Sequence, residues 1–141
     1  MGLFIITELV KKGEFTDADL LKNYVTFMAS IFRSVRFGAA SAHGKANMIR
    51  FNYFQEKAAF IRDAKTGTYK VDIEKMKIAV NELLTRILIL QGDGDYQGAK
   101  DWVEKDGVIK PMLELDLKRL TNANIPVDVV FQQGAEVLGL K

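Results

Sequence analysis

The chain has 141 residues, 48% hydrophobic and 27% charged, which is typical of a globular protein with a single domain spanning residues 1–141. Twenty Lys and Arg residues against 18 Asp and Glu give a net charge of +2 with the two signs interspersed, which argues against a nucleic-acid partner. The absence of Cys excludes disulfides and thiolate metal sites. The sequence lacks the roughly 18-residue apolar run that crosses a membrane, and its start does not resemble a signal peptide. We therefore expect a cytoplasmic protein without a membrane partner.

The first half of the chain predicts three helices separated by glycines. Apolar residues recur there at spacings of three and four, which place them on one helix face. The helices are expected over residues 3–10, over residues 17–37 with Thr16 or Asp17 as the cap, and over residues 41–61 with Ser41 as the cap. The second helix is apolar around most of its circumference, so we expect it to be deeply buried. Gly44 costs the third helix about 1 kcal/mol in propensity, which indicates close packing or tolerance near a helix end.

The second half of the chain predicts a short hairpin followed by three more helices. The hairpin strands are expected at residues 60–62 and 68–71. The helices are expected from a cap at Asp72 to about Leu90, from about Asp95 to Lys105, and from Pro111 to about Leu120. Residues 127–131 are β-branched enough for a short strand, and an irregular segment remains an alternative. The predicted fold is mainly α, a multi-helix domain with one short β-hairpin.

The only histidine of the chain lies on a helix face that carries other polar residues. The spacing i, i+4, i+7 and i+11 places on one face His43, Asn47, Arg50 and Phe54. The preceding helix carries a second polar line, formed by Asn23, Thr26, Ser30 and Arg33. Two such helices packed together would border a groove in which an imidazole donates a hydrogen bond to a peptide carbonyl or an oxyanion. The alternative is a structural histidine bonded to neighbouring backbone, because one His without a partner in sequence defines no catalytic set.

The run from Ser34 to Gln55, with Ala42-His43 at its centre, resembles the region after the metal site of the dipeptidyl-peptidase III family. The hairpin, the long helix that ends before Tyr96 and the helix through Trp102 are similar to that family in order and spacing. The likeness is strongest to bacterial zinc-hydrolase members of the family, some of which carry an N-terminal Nudix domain. The resemblance implies that the chain is the C-terminal portion of a helical catalytic lobe of a zinc metallopeptidase that releases dipeptides from peptide N-termini.

The resemblance also implies roles for individual residues. The family's histidine on this helix stabilises the bound substrate and the transition state, so the same role is expected for His43. The family usually has a basic residue four positions later, where this chain has Asn47. Lys45 and Arg50 are the nearest cations, and with Asn47 they are expected to line the cleft that binds the peptide substrate.

The zinc site that such a peptidase needs is missing from these residues. Two His and one Glu bind zinc in this type of enzyme, and another Glu is the base for the bound water. This sequence has one His and no His-Glu-x-x-Gly-His run. We therefore expect no cofactor in the isolated chain and no activity, with zinc and its ligands supplied by the N-terminal catalytic portion of the same polypeptide. The apolar start without a helix cap before Leu3 also suggests a helix cut from a longer polypeptide.

Two other interpretations of the sequence remain. Residues 93–104 offer oxygens at the positions of a calcium-binding EF-hand loop, although a helix cap at Asp93 or Asp95 explains the same residues more simply. A non-catalytic helical module that binds another protein would also fit the composition. A His-Glu-x-x-Gly-His run upstream in the parent reading frame would favour the peptidase over the module.

Overall fold

The computed structural model describes residues 1–129 and 131–140. In chain order the helices are α1 (Gly2–Lys11), α2 (Asp17–Val35), α3 (Ala42–Glu56), α4 (Ile73–Gly92), α5 (Tyr96–Asp106) and α6 (Pro111–Asn122), and the strands β1 (Phe60–Arg62) and β2 (Tyr69–Val71) lie between α3 and α4. The two strands pair antiparallel, with Phe60 opposite Val71. The predicted mainly α fold with one hairpin is therefore confirmed. Within the described ranges, every helix is too short or too polar to traverse a lipid bilayer.

Local side-chain caps explain where the helices begin. The Thr16 hydroxyl accepts a hydrogen bond from the Asp19 backbone N–H at 3.2 Å, and the Asp19 carboxylate accepts one from the Thr16 backbone N–H at 3.3 Å. This reciprocal capping box fixes the start of α2. Ser41 and Asp72 cap α3 and α4 in the same way, by accepting a backbone N–H three residues later. Asp95 accepts from Gly98 at 2.8 Å, so its carboxylate caps α5, as the simpler reading of residues 93–104 expects.

Helices α2 and α3 both end earlier than their periodicity predicts. Helix α3 ends at Glu56 rather than near residue 61, because Ala58 adopts a left-handed conformation with φ of 52° and Phe60 enters the hairpin. Helix α2 ends at Val35, where the N–H of Gly38 at φ of 94° closes onto the Val35 carbonyl. Gly38 in the sequence correctly indicated a helix end near this position, whereas nothing in the sequence indicates that Ala58 is left-handed.

The C-terminal segment is irregular and packs on the last turns of α2. No strand forms among residues 127–129 or at 131, and the rest of the predicted strand, Val130, lies outside the described residues. Arg33 contacts Asp128 at 2.6 Å, and Arg36 donates to the Pro126 carbonyl at 2.8 Å. These contacts hold residues 125–128 against α2.

The core lies between α2, α3, α4 and the hairpin. Helix α2 contributes one buried stripe, formed by Leu20, Tyr24, Met28, Ile31 and Val35. The expectation that α2 is deeply buried was too strong, because Leu21 and Val25 remain 39% and 42% exposed. An aromatic cluster joins α3 to the hairpin, with ring centroids 5.8 Å apart between Phe51 and Phe60 and 5.2 Å apart between Phe54 and Phe60. Such clusters stabilise by area burial and edge contacts together.

A buried carboxylate ties the hairpin to α6. Asp116, which is 6% exposed, accepts two hydrogen bonds from the Arg62 guanidinium, at 2.7 and 2.8 Å, and one from the Tyr69 hydroxyl at 2.7 Å. The Arg62 contact, with the Tyr69 and Arg119 bonds, lowers the pKa of Asp116 to about 2. Burial and the bond to Asp116 raise the pKa of Tyr69. The network therefore keeps Asp116 ionised and Tyr69 protonated over the whole physiological range.

Candidate functional site

The first turn of α3 packs tightly on the loop that precedes it. A Cβ on Gly44 would lie 2.7 Å from the Gly38 carbonyl oxygen and 2.7 Å from the Ala39 Cα, which real Cβ atoms do not tolerate. A Cβ on Gly107 would lie 3.4 Å from the Lys45 Cβ, so the loop after α5 is also near this turn. The close packing that Gly44 indicated in the sequence is therefore present.

Asn52 fixes the second of these loops from inside the protein. It is 2% exposed and donates from Nδ2 to the carbonyls of Asp106 at 2.8 Å and Val108 at 3.0 Å. The Asp106 carbonyl is one that the end of α5 leaves without a helical partner, and the Val108 carbonyl belongs to the loop that follows. Sequence reasoning missed Asn52 and the contact of Gly107 with α3, because partners more than fifty residues away leave no local signal.

His43 lies on this rigid turn with its side chain exposed. The neighbouring Gly44 is buried and Lys45 is exposed, so the turn presents His43 and Lys45 outward from a fixed backbone. An exposed imidazole can donate to or accept from a ligand, whereas a ring sealed in an apolar interior cannot. The geometry is compatible with the predicted contact between His43 and a substrate, and the role stays a prediction.

Asn47 joins the end of α2 to Arg50. Its Nδ2 donates to the Ser34 hydroxyl at 2.8 Å, and its Oδ1 accepts from Arg50 Nη1 at 3.2 Å. Asn47 is half-buried, while Arg50 is exposed. Asn47, at the position where the family usually has a basic residue, therefore orients Arg50, which lies one turn further along the helix.

A groove of about 630 Å³ lies between α1, α2, α3 and α4. Three members of the polar line on α2 are in its wall, namely Asn23, Thr26 and Ser30, and Arg50 borders it from α3. This groove takes in part of the polar line of each helix, and the predicted cleft around His43 stays a prediction. The other predicted site residues do not line it, and these are His43, Lys45 and Asn47. Arg33 turns away to Asp128, whose pKa is lowered by the Val129 backbone N–H and by the Arg33 guanidinium.

The described residues bring together no metal-ligand set. No group of three or more His, Asp or Glu side chains in residues 1–129 and 131–140 is arranged to hold a metal ion. His43 is the only imidazole of the chain, so the ligand set of a zinc peptidase does not fit the residues present.

Comparison with known proteins gives matches to much longer chains. No protein-family model matches the sequence. Nudix hydrolase 3 of Arabidopsis thaliana is 37% identical over 129 residues, which are 92% of this chain and 17% of that protein. The structure of dipeptidyl-peptidase III from Caldithrix abyssi matches with a TM-score of 0.84 and 36% identity, over 93% of this chain and 25% of that one. Dipeptidyl-peptidase III from Corallococcus sp. strain EGB matches with a TM-score of 0.80 and 37% identity, over 92% and 24%.

All three matches cover nearly the whole of this chain but only a small part of the longer protein. The chain spans about a quarter of the matched structures and about a sixth of the Arabidopsis protein. Identity above 35% together with TM-scores of 0.80 and 0.84 makes both the sequence and the fold similar over nine-tenths of this chain. The Arabidopsis match fits the likeness to family members that carry a Nudix domain. The resemblance of this chain to the dipeptidyl-peptidase III family is therefore confirmed in both sequence and fold.

Proposed function

We propose that this chain is the C-terminal portion of the catalytic lobe of a cytoplasmic peptidase that releases dipeptides from peptide N-termini, and that His43 contacts the bound peptide. The observation that carries the proposal is the exposed His43 on a tightly held turn of a fold that matches dipeptidyl-peptidase III over 93% of this chain. A fixed backbone matters because donors that stabilise a transition state act by being oriented before the reaction.

In this proposal His43 donates a hydrogen bond to the carbonyl that is attacked and stabilises the negative charge that develops on its oxygen. Loss of one such donor costs about 3 kcal/mol, or roughly a hundredfold in turnover. Lys45, exposed on the same turn as His43, supplies positive charge beside the peptide. Arg50, held by Asn47 through the 3.2 Å bond, instead borders the groove between α1 and α4. Neither cation replaces the family's basic residue at its own position.

Zinc and the base for its water are proposed to come from the larger part of the polypeptide, because the described residues lack a ligand set. The isolated chain is then inactive and has no tight zinc site. Calorimetric titration with zinc tests this directly. A one-to-one site of nanomolar affinity would contradict the proposal.

The role of His43 is best tested in a chimera in which this chain replaces the matching quarter of the Caldithrix abyssi protein. We expect His43→Ala to lower kcat for a dipeptidyl substrate by roughly a hundredfold while the melting temperature and zinc content stay the same. Lys70→Ala, an exposed change on β2, is the matched control. Unchanged turnover in His43→Ala would reject the assigned role.

A non-catalytic interaction module is the second candidate, and exposed apolar surface favours it. At the end of α4 the exposed fractions of Leu88 and Ile89 are 52% and 56%, and those of Phe131 and Leu138 in the C-terminal segment are both 71%. Surface of this kind marks contacts with other protein. An upstream His-Glu-x-x-Gly-His run in the parent reading frame would decide for the peptidase, and its absence for the module.

A further inference from the structure

The groove between α1 and α4 is apolar except along one side. Its volume is about 630 Å³. The apolar walls come from α1, α2, α3 and α4, and include Leu3, Ile6, Leu9, Phe27, Leu84 and Ile87. The groove is open to solvent, since Ile5 on one wall is 49% exposed and Ile87 on the other is 36% exposed. An apolar groove of this size on a protein surface marks a site that another group covers.

Among the described residues that line this groove, Arg50 has the only charged side chain. Within the described part of the chain its hydrogen-bond partner is an uncharged amide oxygen, that of Asn47 at 3.2 Å. An occupant that covered Arg50 without a negative charge would leave a desolvated cation, which is costly. A carboxylate opposite Arg50 removes that cost and adds a charge-assisted hydrogen bond. The groove therefore selects an occupant that is apolar along most of its length and acidic at one point.

The matched structures are about four times longer than this chain, so most of such a protein lies outside these residues. We propose that the groove holds an amphipathic segment from that larger part, with apolar side chains between α1 and α4 and one Asp or Glu facing Arg50. The inference rests on the proposed function only in taking the chain as part of a longer protein. An amphipathic helix in an apolar groove is a common mode of packing between segments.

The isolated chain offers a first test, because its groove is open. The probe is 1-anilinonaphthalene-8-sulfonate, an apolar molecule with one negative charge. We expect saturable binding that Arg50→Glu weakens about tenfold, since a close opposite charge becomes a like charge. Lys70→Glu makes the same change in net charge on the exposed face of β2 and leaves the affinity as it was. Equal affinities in the two variants would overturn the charge selection.

The chimera with the Caldithrix abyssi protein tests the occupant itself. The chain has no Cys, so single cysteines placed in it give site-specific maleimide labelling, located by mass spectrometry. Ile5→Cys and Ile87→Cys report on opposite walls of the groove, and Leu115→Cys on α6, 56% exposed in the native protein, reports on an open position elsewhere. At each groove position we divide the labelling rate by the rate at Leu115→Cys. We expect this ratio to be about tenfold lower in the chimera than in the isolated chain, because a buried thiol reacts more slowly.

Arg50→Glu in the same chimera is expected to restore labelling at Ile5→Cys, because it repels the carboxylate of the covering segment. A labelling ratio that is the same in chimera and isolated chain would show an uncovered groove and overturn the proposal. Failure of the proposed function shows separately, as unchanged turnover in His43→Ala with the groove still protected.

Discussion

Asp116 is the side chain whose removal should disturb the fold most selectively. It is 6% exposed and accepts from both Arg62 Nε and Nη2 as well as from the Tyr69 hydroxyl. The proposed change is Asp116→Asn, which keeps the size of the side chain and removes its charge. The Arg62 side chain, 20% exposed, then loses its carboxylate partner in a largely buried position.

The size of the effect follows from two independent arguments. The pKa of Asp116 falls from 3.8 to about 2 in the folded protein. That difference corresponds to about 2 to 3 kcal/mol of stability at neutral pH. Breaking a buried ion pair from one side costs about 3 to 5 kcal/mol, and the partial exposure of Arg62 places this case near the lower limit. We therefore expect Asp116→Asn to lower the free energy of unfolding by about 3 kcal/mol at pH 7.

The pH dependence gives the sharper test. The folded pKa lies below the unfolded value, so the carboxylate contributes fully above pH 3.8 and the contribution is lost as the pH falls through about 2. Urea denaturation should show the difference in unfolding free energy between native protein and Asp116→Asn falling by about 1 kcal/mol from pH 7 to pH 3.

Glu114→Gln is the control for this measurement. Glu114 lies on the same helix and pairs with Lys118 at 3.1 Å, but its side chain is 57% exposed. We expect it to change stability by less than about 1 kcal/mol. The reasoning would be refuted if Asp116→Asn lowered the free energy of unfolding by less than about 1 kcal/mol at pH 7. It would also be refuted if the loss were the same at pH 7 and pH 3.

Three other substitutions test the local structure, each by urea denaturation. Thr16→Ala removes the capping box of α2 and should cost about 1 kcal/mol; an unchanged midpoint would mean that the box contributes nothing. Gly44→Ala forces a Cβ to within 2.7 Å of backbone and should destabilise by about 1 to 3 kcal/mol, whereas Gly2→Ala, with no heavy atom within 4 Å, should not; equal effects would contradict the close packing. Tyr24→Phe removes the buried contact with the Thr7 hydroxyl and should cost about 1 kcal/mol, and a more stable variant would show that this bond is unfavourable.

The sequence predicted what depends on neighbours along the chain. Thr16, Ser41 and Asp72 are correct caps because capping is decided within three residues. Position 58 was missed because an alanine with positive φ is held there by the hairpin that follows, not by its own preference. The contact between Arg62 and Asp116 joins residues 54 apart in sequence, and no periodicity announces it.

In the candidate site, too, contacts within one helix were predicted and contacts between helices were not. The shared face of Asn47 and Arg50 follows from helical spacing, and their side chains do meet. The prediction that His43 and Arg50 border one groove was incomplete, because the groove opens between α1 and α4 and only Arg50 reaches it. Seven residues of helix separate the two side chains by about 10 Å along the axis, so the face of α3 that they share extends beyond the groove.

Helix α3 explains how one element can serve both the core and a site. Four consecutive residues in its second half, 51–54, are buried, so that half is enclosed on all sides by α2, α4, α5 and the hairpin. Its first turn instead lies at the surface, where Gly44 packs on backbone and His43 is exposed. Stability therefore comes from one end of the helix and the exposed imidazole from the other. A loss of turnover in His43→Ala without a loss of stability can then be assigned to the missing imidazole, since the core does not depend on that side chain.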